Sequence, residues 1–293
     1  MKNLQLKNLL VTVFILIISG LFSVGYSQRK ADQSVIKGGA KLQYNYPIGK
    51  TYKYLTSSKV VEDMDVNGQS MQVNVATALA CEVKALAKQA ENLKLEIKID
   101  SLKQNVESPQ GNAGGSVNDL KGKVFGMVIS PAGKAVDLTE AAAIVYTIEG
   151  GGAENLSQSF LTYFPALPKG EVNPGDTWTT NDTIDTKSAG NSLWMPLQSI
   201  CKYEGVENID GVDCAKITAS LSGTRKMSTQ SQGMDIKTSG PFTGTQTILF
   251  AVKEGYLVKE TVTSKITGKI EIPDQNMSFP VIMTITSTQE IVK

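Results

Sequence analysis

The sequence predicts a mainly β protein with two β-rich lobes of long, curved antiparallel strands and a short helical insert between them. Three observations predict this fold class: long runs in which apolar and polar residues alternate, turn-forming residues between those runs, and one alanine-rich stretch. Alternation with a period of two is typical of strands that bury one face. Because large flat sheets are unfavourable, strands of this length favour a half-barrel or open barrel.

The N-terminal β-rich lobe is predicted over residues 28–138. Leu93 to Ile99 alternate apolar with charged residues, and the apolar residues from Met71 to Val83 share one parity over a longer run. Asn67-Gly68 provides the positive φ that a tight hairpin needs, and Pro131-Ala132-Gly133 has the composition of a second turn. These signals predict consecutive antiparallel strands.

The helical insert and its following loop are predicted over residues 139–175. Thr139 to Ile148 is alanine-rich, and Ala153 to Phe164 places apolar residues at helical spacing. Three glycines at 150–152 separate the two stretches, and Pro165 ends the second one. The sequence therefore predicts two short helices.

The C-terminal β-rich lobe is predicted over residues 176–293. Alternation recurs at Ala215 to Leu221, at Ile266 to Ile272 and at Phe279 to Ile285. Asp210-Gly211 and Lys253-Glu254-Gly255 have the composition of hairpin turns. A second set of antiparallel strands is expected here.

Residues 1–27 have the organisation of a secretory signal peptide. Lys2 and Lys7 precede the apolar run from Leu9 to Leu21, and small residues follow at Gly25 and Ser27. This order predicts cleavage between Ser27 and Gln28 and a periplasmic or secreted product. The alternative is an uncleaved anchor, which the shortness of the apolar core disfavours. No membrane span is expected after cleavage.

Composition excludes several function classes. The 293 residues include 29 Lys plus Arg, 28 Asp plus Glu and no histidine, for a formal net charge of +1. Absence of histidine excludes Ser–His–Asp triads, Cys–His dyads and HExxH zinc sites, and near-neutral charge argues against nucleic-acid binding. No pair of acids has a spacing that places it across one cleft. The acids considered are Glu62, Asp63, Asp65, Glu140, Glu149, Asp176 and Asp182.

We therefore expect no catalytic residue, no cofactor and no metal site. The segment Glu62 to Asp65 precedes a predicted hairpin and is interpreted as a solvated strand end, because acidic residues are usually exposed. The loop beginning at Asp65 resembles part of a calcium loop, but Ala76 stands where an EF-hand needs its glutamate.

Export permits disulfides, and Cys201 and Cys214 flank a predicted hairpin. A turn centred on Asp210-Gly211 does not set the two cysteines opposite each other, so a bridge between them requires a bulge or a longer loop. A disulfide and two free thiols both remain open. Cys81 lies in an apolar alternation and is predicted to be a buried thiol.

Several short motifs occur in a distinctive order along the mature chain. They are Tyr46-x-x-Gly49-x-x-Tyr52-x-Tyr54, Asn67-Gly68-Gln69-x-Met71, Phe125 to Gly133, Phe164-x-x-Leu167-Pro168 and Pro174 to Trp178. This set resembles a family of exported Bacteroidetes proteins of similar length with no assigned function. The resemblance implies export and a β fold and brings no catalytic residue. The predicted architecture is also similar, more loosely, to the curved half-barrel of periplasmic lipoprotein carriers.

Methionines spread through the predicted strands favour a binding function, since flexible thioethers suit irregular apolar surfaces. The leading hypothesis is an exported, non-catalytic cell-envelope protein that binds an apolar ligand or lipid in a concave sheet. The alternative is a structural or protein-interaction module of the envelope. A carboxylate-dependent hydrolase is a third hypothesis.

If the Bacteroidetes resemblance holds, two short triplets resemble the O-glycosylation signal of exported proteins in that group. They are Asp100-Ser101-Leu102 and Asp182-Thr183-Ile184. Thr183 lies in a polar stretch that should be exposed, whereas Ser101 shares the parity of Ile97 and Ile99 and is predicted to be buried. We therefore expect Thr183 to be modified ahead of Ser101.

Overall fold

A computed structural model describes residues 39–66, 68–109, 111–148, 153–188, 191–231 and 234–292. The predicted signal peptide, its cleavage site, Asn67 and Glu149 lie outside these ranges. Among the described residues, none of the helices has the length and apolar character that crossing a bilayer requires. The predicted mainly β class is confirmed, because long strands dominate the described chain and the helices are short.

The elements follow one another along the chain in this order. They are β1 (Ala40–Lys41), β2 (Thr51–Val66), β3 (Gln69–Gln89), β4 (Asn92–Ser108), β5 (Gly111–Ser116), β6 (Val124–Ile129), β7 (Ala135–Asp137), α1 (Thr139–Ala142), β8 (Val145–Thr147), β9 (Ala153–Asn155), α2 (Leu156–Phe160), β10 (Glu171–Val172), β11 (Thr177–Ser188), β12 (Asn191–Ile209), β13 (Val212–Ser231), β14 (Met234–Ala251), β15 (Tyr256–Ile272) and β16 (Met277–Val292).

One 12-stranded sheet contains all the long strands. Its order is β11-β12-β13-β14-β15-β16-β2-β3-β4-β6-β7, with β5 also paired to β4, and neighbouring strands are antiparallel. The order does not close on itself, so β11 and β7 are edges. Strands from both predicted lobes thus belong to one open sheet, and the division of the chain into lobes stays a prediction.

Alternation gives the sheet an apolar inner face and a polar outer face. On β13, Ile217, Leu221 and Met227 are buried, whereas Ser220 and Lys226 between them are exposed. The sheet must curl, because Arg225 on β13 lies 3.7 Å from the Met283 sulfur on β16 although two strands separate them. Neighbouring strands are spaced by about 4.8 Å, so a flat sheet would hold these backbones about 14 Å apart.

The two halves of the sheet meet at a weakly paired junction between β2 and β16, which we call the β2/β16 seam. Its ladder has two residue pairs, Tyr54 with Ile291 and Lys53 with Val292. Farther along, the strands stay adjacent in the same register, since the Thr286 hydroxyl donates to the Lys59 carbonyl at 3.4 Å. The neighbouring ladders, β2 with β3 and β15 with β16, run the length of their strands.

The helical insert lies where it was predicted, but its helices are much shorter than predicted. Val145–Thr147 and Ala153–Asn155 pair as a small two-stranded sheet in place of helix. Two β-branched residues and one aromatic residue form the first of these strands and favour extended backbone. The second helix begins after Asn155, whose side chain accepts a hydrogen bond from the Ser157 amide at 3.1 Å.

This insert and the segment before β2 cover one end of the inner face with an aromatic plug, consisting of Tyr44, Tyr46, Phe160, Tyr163 and Phe164. Tyr44 meets Phe164 edge to face at a centroid distance of 5.4 Å, and its hydroxyl donates to the Pro165 carbonyl at 3.0 Å. The members of the plug are all buried. The other end of the inner face is packed by strand side chains.

Of the two alternatives left open for Cys201 and Cys214, a disulfide or two free thiols, the structure has both cysteines as buried free thiols. Cys201 pairs with Ala219 and Cys214 pairs with Glu207. The hairpin turns at Asp210-Gly211, as predicted, but six strand positions separate the two cysteines, which is about 20 Å. The bulge near Tyr203 does not shift the register far enough to bring them together.

Burial of Ser101, predicted from its parity, is wrong: Ser101 is exposed. Ser101 pairs with Ala80 and Ile99 pairs with Cys81, so Asp100 is an extra residue that forms a β-bulge. The bulge reverses the parity of the strand, and Leu102 is buried beyond it. Thr183 is exposed on the edge strand β11. Glycosylation of either residue stays a prediction.

Candidate functional site

The inner face of the C-terminal strands holds a mainly apolar pocket, which we call the Arg225 pocket. Its volume is about 10 Å³, room for a single water molecule. Arg225 is the one charged residue of the lining. The lining residues are Met195, Leu197, Leu221, Arg225, Phe242, Val262, Ser264, Ile266 and Ile285.

Arg225 points into this pocket because it shares the inward parity of Leu221 and Met227 on β13. Its side chain is 1% exposed. Nη2 donates to the Met227 sulfur at 3.1 Å and Nη1 to the Met283 sulfur at 3.7 Å. Burial lowers the pKa of Arg225 to about 10, although the nearby Glu62 acts to raise this pKa. The guanidinium therefore keeps its charge at neutral pH.

Glu62 faces the same interior from β2 and is 0% exposed. Burial raises its pKa to about 8, although Arg225 acts in the opposite direction. Neither carboxyl oxygen has a hydrogen-bond partner among the described residues. Glu62 is therefore mostly protonated at neutral pH, and the interior carries a carboxylic acid with an unused donor and acceptor.

Glu62, Met283 and Arg225 lie at one level of the interior. Continuing the register of the β2/β16 seam sets Glu62 opposite Met283, whose sulfur accepts from Arg225. The interpretation of Glu62 as a solvated strand end is wrong, because it shares the parity of the buried Val60 and Met64. The alternation of inward and outward residues along β2 was therefore the sequence signal that could have placed Glu62 on the inner face.

Glu62 makes the stability of the protein depend on pH. Its folded pKa of about 8 is above the ordinary value of 4.5, so the unfolded chain loses this proton first as the pH rises. The free energy of unfolding should then fall between roughly pH 5 and pH 8, by up to about 1.4 kcal/mol per pH unit for this one group. Glu62→Gln should remove that contribution, which urea unfolding at a series of pH values measures.

Two comparisons make this pH experiment specific to Glu62. Glu260 acts in the same direction, because burial raises its pKa to about 7, so Glu62→Gln should flatten the pH dependence only partly. Asp63→Asn, on the outer face of the same strand, should keep the wild-type dependence. An unchanged slope in Glu62→Gln would contradict an acid that is buried and neutral.

Glu260 is a second buried carboxyl on the inner face, and it accepts a hydrogen bond from Gln246 Nε2 at 2.5 Å. It pairs across the ladder with Gln289, six positions along β16 from Met283. Glu62 and Glu260 are therefore separated by about 20 Å along the strands. Paired acids of glycosidases lie roughly 5–10 Å apart, so these two carboxyls do not form such a pair.

Three polar side chains of β16 line the seam without hydrogen-bond partners among the described residues. The atoms are Ser287 Oγ, Thr288 Oγ1 and Gln289 Nε2, and all three residues are buried. Buried polar atoms normally have partners. The seam is thus both weakly paired along its backbone and incompletely bonded in its side chains.

A second, polar pocket of about 220 Å³ lies near the aromatic plug. It is bounded by the segment around Tyr44, by the β3–β4 hairpin and by the β14–β15 hairpin. Lys41, Lys88 and Lys253 contribute positive charge to its walls, and Glu91 contributes one negative charge. The lysines are exposed, and Lys253 already lies 3.7 Å from Asp213.

The other acids considered from the sequence serve local structure. Glu140 accepts from the Gly126 amide at 2.6 Å, Asp176 from the Asn173 amide at 2.7 Å, and Asp182 from the Thr183 amide at 2.8 Å. They lie on separate segments that the structure does not bring together at the Arg225 pocket.

No protein-family model and no curated protein matches this chain. Among solved structures it is similar to a candidate lipoprotein from Parabacteroides distasonis, with 11% identity, 86% of this chain and 98% of that chain covered, and a TM-score of 0.32. A candidate exported protein with a YmcC-like fold from Bacteroides fragilis has 9% identity, coverage of 86% and 99%, and a TM-score of 0.25.

An outer-membrane channel from Pseudomonas putida is similar at 9% identity, with coverage of 85% and 98% and a TM-score of 0.26. The first two proteins come from Bacteroidetes, the group to which the sequence resemblance points. At TM-scores this low, the similarities say nothing about what the chain binds.

Proposed function

We propose that this chain is an exported, non-catalytic cell-envelope protein that binds an apolar ligand on the inner face of its curled sheet, at the Arg225 pocket. The observation that carries the proposal is the composition of the pocket, since Arg225 and Ser264 are its only polar members. An apolar enclosure with few, fixed polar groups is typical of small-molecule sites.

A ligand must displace side chains, because the pocket has a volume of about 10 Å³. Methionines surround Arg225 and can do this, since their unbranched side chains adopt new rotamers at low cost. Met195 lines the pocket, and Met227 and Met283 contact the guanidinium. The β2/β16 seam provides a way in, because separating these strands beyond Tyr54 breaks few ladder hydrogen bonds.

Export and the absence of catalysis have separate support. The signal-like order of residues 1–27 supports export. The lack of histidine and the separation of Glu62 from Glu260 support a non-catalytic role, because neither a histidine base nor a paired-carboxylate mechanism has its groups.

Binding of the fluorescent apolar probe N-phenyl-1-naphthylamine tests the proposal. Wild-type protein should bind the probe, and Ser264→Leu should weaken binding at least tenfold, because the added side chain fills the pocket. Thr263→Leu is the matched control, since Thr263 lies on the outer face of the same strand and should leave binding unchanged.

Native mass spectrometry of protein purified from its own envelope should also show a lipid-sized adduct. A ligand-free mass together with no probe binding would overturn the proposal. So would full probe binding by a Ser264→Leu protein that melts cooperatively. A protein partner recovered in stoichiometric yield by crosslinking, with no probe binding, would favour the structural or interaction module instead.

A further inference from the structure

The charged groups of the interior are arranged for recognition of an anionic head group. Arg225 is deeply buried, and its contacts include hydrogen bonds from two nitrogens to thioether sulfurs, which are weak acceptors and carry no charge. An ionised carboxylate is the stronger acceptor for a guanidinium, because it binds two parallel N–H groups at once.

Glu62 is the second group that can recognise the head group. Both of its carboxyl oxygens lack hydrogen-bond partners among the described residues, and the side chain is fully buried. When protonated, it can donate its O–H to a carboxylate oxygen. Leaving such a group unbonded in the interior is costly, and a ligand that accepts from it removes that cost.

The residues next to Glu62 allow Glu62 and Arg225 to bind one head group together. Its ladder partner on β3 is Val73, and its neighbour across the seam on β16 is Met283, so the flanking strands place no charge beside it. Arg225, across the interior on β13, is the charged group whose field acts on Glu62. Among the described residues, the inner face at this level thus offers the Arg225 cation and the acidic O–H of Glu62.

We propose that the Arg225 pocket selects single-chain fatty carboxylates, whose head group pairs with the Arg225 guanidinium and accepts a hydrogen bond from the Glu62 carboxyl while the tail lies among the apolar side chains of the pocket. This inference rests on the proposed function of the same pocket. No covalent step is involved.

The expected pH dependence follows from the proton on Glu62. Below about pH 8 the acid is mostly protonated and assists the ligand. At higher pH it becomes an anion, which competes with the ligand carboxylate for Arg225 and repels it. Fatty carboxylate binding should therefore weaken above this pH, and binding of a neutral amphiphile should not.

Displacement of N-phenyl-1-naphthylamine by three ligands with the same tail tests the proposal: dodecanoate, dodecanol and dodecyltrimethylammonium. At pH 7 the wild-type protein should bind dodecanoate at least tenfold more tightly than either of the others. Arg225→Met should remove this preference while retaining dodecanol binding, because methionine has a similar length and no charge. Lys226→Met, on the outer face of the same strand, should behave as wild type.

Glu62→Gln separates the two recognition groups, since its amide still donates a hydrogen bond but cannot ionise. It should bind dodecanoate with nearly wild-type affinity at pH 7 and keep that affinity at pH 9, where the wild-type protein weakens at least threefold. Equal affinities for dodecanoate and dodecanol, or a preference for the ammonium ligand, would overturn this inference and leave the proposed function intact. Failure of all three ligands and of the probe to bind would overturn the proposed function itself.

Discussion

Replacing Phe160 with alanine is expected to lower the free energy of unfolding by about 3–5 kcal/mol, the usual cost of removing a fully buried aromatic side chain. Phe160 is 0% exposed at the end of α2. Its ring packs edge to face on Phe125 at a centroid distance of 5.0 Å and lies 4.6 Å from the ring of Tyr163. Without it, the aromatic plug loses its contact with β6. Urea unfolding followed by tryptophan fluorescence measures the loss.

Gln158→Ala is the matched control for Phe160, because it changes the same short helix at a half-exposed position. Its effect should stay within about 0.5 kcal/mol. A cost of less than about 1.5 kcal/mol for Phe160→Ala would mean that the fold does not need the insert. It would contradict the packing of the aromatic plug as part of the core.

Gly133→Ala should cost about 2–5 kcal/mol, because two independent penalties coincide there. The backbone has φ +88°, which costs a residue with a side chain about 1–2 kcal/mol. An added Cβ would also lie 2.5 Å from Tyr44 Cε2 and 2.7 Å from the Pro165 carbonyl oxygen. Overpacking of this kind typically costs about 1–3 kcal/mol. Thermal or urea unfolding measures the sum.

Gly122→Ala separates the two penalties at position 133. Gly122 has a similar φ of +79°, and an added Cβ there meets nothing within 4 Å, so only the backbone penalty should appear. The difference between the variants then reports how tightly the β6–β7 turn packs on the plug. Equal losses would mean that Tyr44 and Pro165 move aside freely.

Local patterns in the sequence predicted the strands well because a half-buried strand shows its inner face in every second residue. Leu93 to Ile99 is an example, and the structure confirms it as part of β4. The pattern does not reveal where an extra residue reverses the parity, as Asp100 does. The predicted helix lengths were also wrong, since Tyr146 and its neighbours prefer extended backbone once they can pair with β9.

The candidate site was only partly predictable. Methionines indicated an adaptable apolar interior, and Met195, Met227 and Met283 do gather around Arg225. Arg225 and Glu62 were missed because charged residues are nearly always exposed, although both stand at inward positions of their strands. Their approach across the interior depends on the curl of the whole sheet, which no local segment encodes.

The β2/β16 seam has a consequence for how the chain folds. On each side of it, most strands pair with their neighbours in sequence through hairpins, so each half forms from local contacts. The seam instead joins residues such as Lys59 and Thr286, which are 227 positions apart, and contacts of such separation form late. Until then each half exposes an unpaired strand, and the matching edge of another copy can pair with it as well as its own can. We expect this joint to be where two chains exchange halves during refolding at high concentration, producing intertwined dimers.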